Sequence, residues 1–402
     1  MSMTTDEQEP DIDFTGETSP YPFFGYKRRT DPIWHGAALD HSQEPEELRP
    51  SDEWTLMDFD SVSLAFRDHE TFSSARYDET IGLVIGPTIL SMTGHKHHAH
   101  RSLVAKAFRT KSLARWEPDY IEPICRGLVD DFKASGEADL IKDLTFEFPT
   151  RIISKLLGLP AEDLDSFRKL SFELISIQTD IEAGLVASAE LQTYFGEQVD
   201  QRRSKPTDDI IGDLVAAEVD GEKLTDEAII SFLRLLLPAG LETTFRSSSN
   251  LLNLLLTHPG QLALLRADRS MIPRAIEEAL RFETPLTTVM RTATRDVELR
   301  GKCIPAGASV NMGIGAANRD EARWDRSEEF DITREPKPHI SFAAGEHSCL
   351  GLHLARTETR VALVSLLDQL EDIALVPGED ADIKGLIFRS PQRLPVTFRA
   401  AR

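Results

Sequence analysis

The sequence is poor in cysteine: only Cys125, Cys303 and Cys349 occur among its 402 residues. An odd number of scattered cysteines argues against a disulfide framework, so each should serve packing or chemistry. No uninterrupted run approaches the roughly 20 apolar residues that span a bilayer. The acidic start also lacks the basic-then-apolar pattern of a signal peptide. We therefore expect a cytoplasmic protein without a membrane anchor.

Positive charge is also scarce, because 45 basic residues face 67 acidic ones and give a formal net charge of -22. This excess argues against nucleic acid or an anionic membrane as the default partner. Residues 1 to 20 are acidic and poor in apolar side chains, which predicts a mobile tail. Residues 21 to 402 contain no internal repeat and no low-complexity linker, so a single domain is expected there.

Helical periodicity dominates the remaining chain. Apolar residues recur every three or four positions in "RIISKLLGLP", "AEDLDSFRKLSFELISI", "DEAIISFLRLLLPAGLETTFRSSSNLLNLLLTHP" and "LHLARTETRVALVSLLDQL". Short β-prone pieces occur in "DVELRGKCIPAGASVNMGI" and "GLIFRSPQRLPVTF". The predicted fold is mainly α, with small β-sheets beside a large helical body.

Cys349 stands between two glycines in "SFAAGEHSCLGLHLAR", immediately before a strongly periodic helix. The free N–H groups and the dipole of that helix should favour thiolate over thiol. Gly345 and Gly351 permit a tight loop and the close approach of a flat group. A single thiolate, without partners at zinc spacing, suggests iron held in a macrocycle.

A polar pair, Glu242 and Thr243, interrupts an apolar helix that Thr225 should cap at residue 226. One interpretation is a solvated turn in a helix kinked at Pro238 and Gly240. The other is a proton relay, because buried polar groups need a reason and a hydroxyl beside a carboxylate can pass protons.

Two further patterns have simple alternatives. Glu278 and Arg281 of "EEALR" share a helix face, as an ordinary surface ion pair also would. In "GHKHHAHR", the crowded histidines His95, His97, His98 and His100 are typical of a metal-binding tract. Within this tract only His97 and Arg101 lie four residues apart on one helix face. We therefore favour a role other than metal binding for this pair.

Taken together and in this order, these motifs resemble those of the cytochrome P-450 family, and the resemblance extends from about residue 20 to the C-terminus. "FAAGEHSCLG" is similar to the heme-binding loop of the family, "AGLETT" to its oxygen-binding helix and "EEALR" to its Glu-x-x-Arg pair. The resemblance implies a triangular-prism helical body with heme b between the long central helix and the Cys-loop helix. It also implies a heme-thiolate monooxygenase that inserts one atom of O2 into its substrate.

The resemblance assigns roles residue by residue. Cys349 would be the axial iron ligand, with Phe342 near its sulfur. Glu242 and Thr243 would form the acid and alcohol pair. The residues that would border the oxygen groove are Ala239 and Gly240, and those that would hold the heme propionates are His97, Arg101, Arg291 and His347.

The chain departs from the family pattern at a few positions. Ala343 and Ala344 replace frequent glycines of the loop, and Pro238 replaces an ordinary apolar residue. Glu329 stands where the family often has the arginine that joins Glu278 and Arg281. The sequence leaves this third partner open among Arg319, Arg323 and Arg326.

No flavin fingerprint or iron-sulfur cysteine set occurs, so electrons should come from an external donor such as a ferredoxin. The alternative for the basic residues near the cysteine is solubilising charge. A ferredoxin would dock on the basic residues Lys106, Arg109, Lys111, Arg115, Arg356 and Arg360.

The expected substrate is a lipophilic small molecule, because the segments that should line its pocket are mostly aliphatic. These are "ETIGLVIGPTILSM", "PLTTVM", Leu236, Ala239 and the chain near Phe388. Two other functions stay open: a peroxygenase driven by hydrogen peroxide, and a heme-binding sensor or carrier without turnover.

Overall fold

The computed structural model describes residues 9–38, 41, 46, 49–108, 110–175, 180–219 and 221–401. In chain order its α-helices are α1 Tyr21–Thr30, α2 Phe59–Arg67, α3 Gly82–Ile85, α4 Gly94–Val104, α5 Thr110–Trp116, α6 Glu122–Phe132, α7 Glu147–Leu156, α8 Leu164–Ile175, α9 Ile181–Ser204, α10 Ile210–Ala216, α11 Asp226–Leu237, α12 Thr243–Thr257, α13 Pro259–Ala267, α14 Ile272–Phe282, α15 Ile314–Ala317 and α16 Leu352–Gln369.

The strands are short. They are β1 Ile33–His35, β2 Glu53–Leu56, β3 Phe72–Ser73, β4 Glu137–Asp139, β5 Glu218–Val219, β6 Glu222–Lys223, β7 Thr288–Ala293, β8 Val297–Leu299, β9 Lys302–Ile304, β10 Ser309–Gly313, β11 Leu370–Leu375, β12 Ile383–Lys384, β13 Ser390–Pro391 and β14 Pro395–Ala400. The predicted combination of a helical body with small sheets is confirmed.

The largest sheet has the order β1-β2-β10-β7-β3. Its own apolar cluster packs beneath it, separate from the larger cluster that the helices share. Antiparallel pairing of β7 with β10 sets Arg291 opposite Val310. The sheet therefore fixes the backbone position of one predicted site residue.

A single long helix runs through the helical body. It begins as predicted, because the Thr225 side chain accepts a hydrogen bond from the backbone N–H of Ala228 at 3.2 Å. At Pro238 the helix widens into a π turn, Pro238–Glu242, between α11 and α12. Proline has no N–H to donate to the carbonyl of Arg234, four residues earlier, so the regular ladder cannot continue there.

One helix bears on the expectation about membrane spans. Asp226–Thr257 forms 32 continuous helical residues that, by length and composition alone, could cross a membrane. Counting uninterrupted apolar runs missed it, because a few polar residues divide the run. In the structure 56% of its most apolar window is buried inside the protein. Its apolar side chains therefore pack against neighbouring helices, as those of a core helix do.

The N-terminal segment that was predicted to be a mobile tail is described only from residue 9 onward. Here Lys27 forms an ion pair with Glu9 at 2.6 Å. The N–H of Gly385 donates to the carbonyl of Gly16 at 2.8 Å. Residues 9 to 20 thus touch the folded body, and the mobility of the tail stays a prediction.

The predicted pair of Glu278 and Arg281 is buried. Arg281 donates from Nε and Nη2 to the two carboxylate oxygens of Glu278 at 2.8 and 2.9 Å. The third partner is Arg334, whose Nε donates to Glu278 Oε1 at 3.0 Å. Arg334 also donates to the carbonyls of Arg326 and Glu329 at 2.9 and 3.0 Å. The three side chains thus join α14 to the chain that precedes the Cys loop.

The arginines left open by the sequence were the wrong candidates. Arg319 pairs with Glu283 and Glu328, Arg323 donates to the carbonyl of Pro338, and Arg326 pairs with Glu329 and Asp331. Arg334 follows "FDIT" instead of preceding "FD", so a search limited to the usual position could not find it.

Replacing Arg334 by alanine should lower the free energy of unfolding by about 2 to 3 kcal/mol, because it removes hydrogen bonds to a buried carboxylate. Arg326→Ala is the matched control, since its side chain is 60% exposed and solvent screens its ion pairs, so the loss should be much smaller. Urea denaturation followed by circular dichroism measures both variants. Equal losses would show that Arg334 is not part of the buried pair.

Candidate active site

The Cys loop is closed by its own backbone. The N–H of Cys349 donates to the carbonyl of Phe342 at 2.9 Å, and that of Ser348 donates to Gly345 at 3.1 Å. Gly345 has φ +73°, and a Cβ there would lie 2.4 Å from the carbonyl oxygen of Phe66 on α2. Only glycine fits this contact. A Cβ on Gly351 would meet nothing within 4 Å, so the space beside it is open.

Burial governs the Cys349 thiol in the polypeptide. It raises the thiol pKa above the ordinary value, while the N–H of Gly351 and the guanidinium groups of Arg101 and Arg356 act in the lowering direction. The predicted influence of the helix N-terminus is present. The N–H of Gly351 acts in the predicted direction, and burial, which the sequence did not predict, outweighs it in the polypeptide.

The four residues predicted to hold propionates come together near the cysteine. The rings of His97 and His347 lie 4.2 Å apart. Arg101 Nη2 donates to the carbonyl of Ser348 at 2.5 Å. Arg291 is buried and lies close enough to His347 to lower the pKa of that imidazole. Residues from α4, β7 and the Cys loop therefore share one small volume.

Both imidazoles are neutral near pH 7. Burial, followed by the positive charge of Arg101, lowers the pKa of His97 to about 4. Burial, followed by Arg291, lowers the pKa of His347 to about 3. They can therefore act as neutral hydrogen-bonding groups, and the two arginines supply the positive charge.

Glu346 is a member of this group that the sequence did not predict. Its carboxylate lies 3.7 Å from His97 Nδ1 and 3.4 Å from His347 Nε2. Ligand atoms of these three residues all lie within 4.8 Å of one another, an arrangement that could hold a metal ion. Glu346 occupies a position where the motif accepts any residue, so no signal marked it.

The histidine tract does not converge as a metal-binding tract would. His97 turns inward, whereas His95 and His98 are exposed and His100 is half-buried. His97 and Arg101 both contact the Cys loop, through the ring of His347 and the carbonyl of Ser348, and their role toward the propionates stays a prediction.

The acid and the alcohol on the central helix face different partners. Thr243 Oγ1 donates to the carbonyl of Ala239 at 2.7 Å, across the π turn. Ala239 is exposed and Gly240 is half-buried, although most residues of the helix are buried. Glu242 instead accepts from Arg246 Nη2 at 2.8 Å. No hydrogen bond joins Glu242 to Thr243 among the described residues.

Arg246 is the second residue that the sequence analysis missed. It follows Glu242 by one helical turn and also donates to Ser390 Oγ at 2.9 Å. Burial raises the pKa of Glu242, and the nearby Arg246 only partly opposes this. The i,i+4 spacing of an acid and an arginine could have revealed the pair.

The predicted basic face is largely neutralised by its neighbours. Arg115 pairs with Asp208 at 2.5 Å, Arg356 with Glu277 at 2.7 Å and Arg360 with Glu117 at 2.6 Å. Lys106 donates to the carbonyl of Glu218. Arg109 and the side chain of Lys111 lie outside the described residues. The remaining positive potential is therefore weaker than the residue types indicate.

Comparisons with known proteins establish the family. The family model described as "Cytochrome P-450" matches residues 184–392. The chain belongs to the cytochrome P-450 family. It is 37% identical to the putative cytochrome P-450 YjiB of Bacillus subtilis, over 91% of this chain and 92% of that protein. It is 32% identical to a vitamin D(3) 25-hydroxylase of Pseudonocardia autotrophica, over 99% of both chains.

A solved structure supports the same conclusion. The crystal structure of CYP109E1 from Bacillus megaterium in complex with testosterone matches with a TM-score of 0.84 and 30% identity. The match covers 94% of this chain and 99% of that chain. The predicted cytochrome P-450 fold is confirmed, and the chain is a cytochrome P-450 monooxygenase.

The family implies a heme-iron cofactor, and the residues of this chain fit one. His97 Nε2 is buried without a partner. Neither Arg101 nor Arg291 forms an ion pair with a carboxylate in the part of the chain that the structure describes. Two guanidinium groups and an unpartnered imidazole nitrogen suit the two carboxylates of a heme. A lone buried sulfur beside them suits its iron.

Ala343 offers a test of the loop backbone. Its φ of +56° is left-handed, a region that costs residues other than glycine about 1 to 2 kcal/mol. Ala343→Gly should therefore raise the free energy of unfolding by about 1 kcal/mol and slow heme loss. Ala344 is the matched control, because its φ of -147° is ordinary and glycine there should destabilise. Urea unfolding measures the stability of each variant, and transfer of heme to apomyoglobin measures its rate of heme loss. Stabilisation by both glycine variants would contradict backbone strain at Ala343.

Proposed function

We propose that this protein binds heme b through Cys349 and hydroxylates a lipophilic small molecule with electrons from an external ferredoxin. The observation that carries the proposal is the clustering of Cys349 with His97, Arg101, Arg291 and His347. Thiolate-bound heme iron supplies the activation of O2, so that one oxygen atom enters the substrate and the other leaves as water. Cytoplasmic localisation stays a prediction.

Residues of this chain could hold the heme both at its propionates and at its iron. The N–H of Gly351 and the charge of Arg101 both favour the ionised form of Cys349. Arg101 and Arg291 match the two propionates in charge, and His97 and His347 add hydrogen bonds. Phe342 packs against the Arg356 guanidinium, which lies 4.5 Å from its ring centroid. Phe342 is thereby fixed at the start of the loop that carries the sulfur.

The central helix provides groups that hold protons. Because the Thr243 hydroxyl donates its proton to the carbonyl of Ala239, its oxygen can still accept a hydrogen bond. Glu242 combines burial, which raises its pKa, with Arg246, which favours its ionised form. A carboxyl group balanced in this way can release and regain a proton. In this proposal Thr243 positions the proton donor, and Glu242 supplies protons after leaving Arg246.

Replacing Thr243 by alanine tests the monooxygenase function. Thr243→Ala should divert electrons to hydrogen peroxide and lower product formed per electron about tenfold or more, because the hydroxyl acceptor is gone. Thr243→Ser should retain coupling. Thr257→Ala is a second control, since its hydroxyl donates to the carbonyl of Asn253 at 2.8 Å near the end of α12. Oxygen uptake, peroxide and product are measured together.

Other outcomes favour the other functions. A protein that oxidises its substrate with hydrogen peroxide but not with O2 and electrons, in wild type and variant alike, would be a peroxygenase. A heme protein that binds ligands but oxidises no substrate, with ligand affinity unchanged by Thr243→Ala, would be a sensor or carrier.

The proposed electron donor docks on the basic face near the cysteine. Arg356 and Arg360 both lie on α16 after the loop with side chains one-third exposed, and Arg360 is chosen for the test because Arg356 also packs against Phe342. An acidic ferredoxin would compete with Glu117 for Arg360 and with Asp208 for Arg115. Such an exchange of partners should make docking sensitive to salt.

The double variant Arg115→Glu with Arg360→Glu should slow reduction by a ferredoxin about tenfold at low salt, because two attractive charges become repulsive. Chemical reduction by dithionite should not change. Arg399→Glu is the matched control, an exposed arginine of β14 that pairs with Asp372. The rate of reduction is measured by stopped flow at two salt concentrations. If the control variant slows reduction equally, the ferredoxin does not dock on this face.

The proposed substrate class rests on the apolar lining and on the relatives. A related enzyme is named for hydroxylation of vitamin D(3), and the matched crystal structure contains testosterone. Both names indicate large lipophilic molecules. We propose the same substrate class for this chain. The position of oxidation in those molecules is not carried over.

A further inference from the structure

Arg234 is a buried cation that forms no ion pair with any carboxylate in the part of the chain that the structure describes. It lies on α11 and only 7% of the residue is exposed. Its Nη1 donates to the carbonyl of Val84 at 3.2 Å and to Ser188 Oγ at 2.8 Å. No carboxylate among the described residues lies within ion-pair distance of it, and Glu227 acts on its pKa only from farther away. An unpaired buried charge is costly, so an anionic partner would be strongly favoured.

The edge of this guanidinium that recognises carboxylates is free. Arg234 Nε is buried without a partner, and no described residue accepts from Nη2. This chain uses the same Nε and Nη2 edge when Arg281 binds Glu278 and Arg356 binds Glu277. Both contacts are bidentate, the geometry that arginine and carboxylate prefer.

A second unsatisfied group lies beside it. Ser231 precedes Arg234 by three residues, so both point from one face of α11. Ser231 Oγ is also buried without a partner. Both groups border Gly86, whose φ is +80°, and a Cβ there would lie 2.5 Å from Ser231 Oγ and 3.3 Å from Arg234 Nη2. Glycine thus keeps a side chain away from the two free donors.

The position of this pair relates it to the substrate pocket. Arg234 belongs to the same long helix as Leu236 and Ala239, which follow it by two and five residues and were predicted to line that pocket. It contacts α3, which belongs to another segment predicted to line it. Between the Cα atoms of Arg234 and Thr243 there is roughly 13 Å of helix. A ligand that reaches from one to the other must be elongated.

We propose that Arg234, assisted by Ser231, binds the carboxylate of an elongated lipophilic acid whose far end is oxidised near Thr243. This inference rests on the proposed monooxygenase function and narrows its substrate class. The apolar lining supplies affinity along the length of the molecule. The guanidinium sets its direction and therefore the carbon that approaches the heme. In the sequence this cation is easily overlooked, because Arg234 is the one charged residue of the apolar run "FLRLLL".

The first experiment uses the wild-type holoprotein. The ferric protein is titrated with hexadecanoic acid, its methyl ester and testosterone, and the spin-state change of the heme spectrum is followed. The acid should bind about 10- to 100-fold more tightly than its ester, the range expected for charge-assisted hydrogen bonds. Equal affinity of acid and ester would overturn the inference, whatever any variant does.

Variants then assign the preference to one side chain. Arg234→Gln should lose the preference for the acid while retaining the affinity for the ester, and Arg234→Lys should retain part of it. Arg266→Gln is the matched control, because Arg266 is also partly buried and donates to a backbone carbonyl, that of Leu370 at 3.3 Å. It should retain the full preference.

The remaining outcomes are separable. If Arg234→Gln weakens acid and ester equally, the arginine only holds α3 against α9 and α11, and the inference is overturned. A preference that survives in Arg234→Gln overturns it as well. Failure of the proposed function is read independently, from a reduced carbon monoxide spectrum that lacks the signature of thiolate-bound heme.

Discussion

A long helix through the middle of the fold must satisfy its polar groups inside the protein, and much of the structure follows from this constraint. Ser249 donates to the carbonyl of Phe245 at 2.7 Å and also contacts Thr145. Asn253 donates to the carbonyl of Ala381 at 2.6 Å. These bonds tie the helix to the elements around it. Where Pro238 interrupts the ladder the helix forms a π turn, and across that turn the Thr243 hydroxyl donates to the carbonyl of Ala239.

The Cys loop depends on a second constraint, the close contact of backbone with backbone. Gly345 rests on α2, and the bond from Cys349 to Phe342 fixes the direction of the sulfur. The buried group of Glu278, Arg281 and Arg334 holds the chain that leads into this loop. Because ionised groups there are matched in bidentate geometry, the loop enters the site from a rigid base. Position of the cysteine and stability of the fold are thus coupled.

The fold class and most of the site were predictable because short stretches of sequence determine them. Period and capping located the helix at Thr225, and the spacing of "FAAGEHSCLG" located Cys349. Arg334, Arg246 and Glu346 were missed, since their roles come from contacts that no fixed spacing specifies. The upward shift of the Cys349 thiol pKa was not predicted, for a similar reason. A helix N-terminus is visible in sequence, but the burial that outweighs it is a property of the folded chain.

Polar residues that interrupt an apolar helix look alike in sequence. In the structure, structural and functional ones differ in whether all their hydrogen-bonding groups have partners. Ser249 and Asn253 direct their donors to protein acceptors, which is the signature of structural residues. Glu242 has its charge matched by Arg246, yet burial still raises its pKa, so its protonation is adjustable. Arg234 keeps one edge of its guanidinium unsatisfied. A buried polar group that the fold leaves partly unpaired can still gain a hydrogen bond or an ion pair when a proton or a ligand binds. Function on this helix should therefore be sought at such groups.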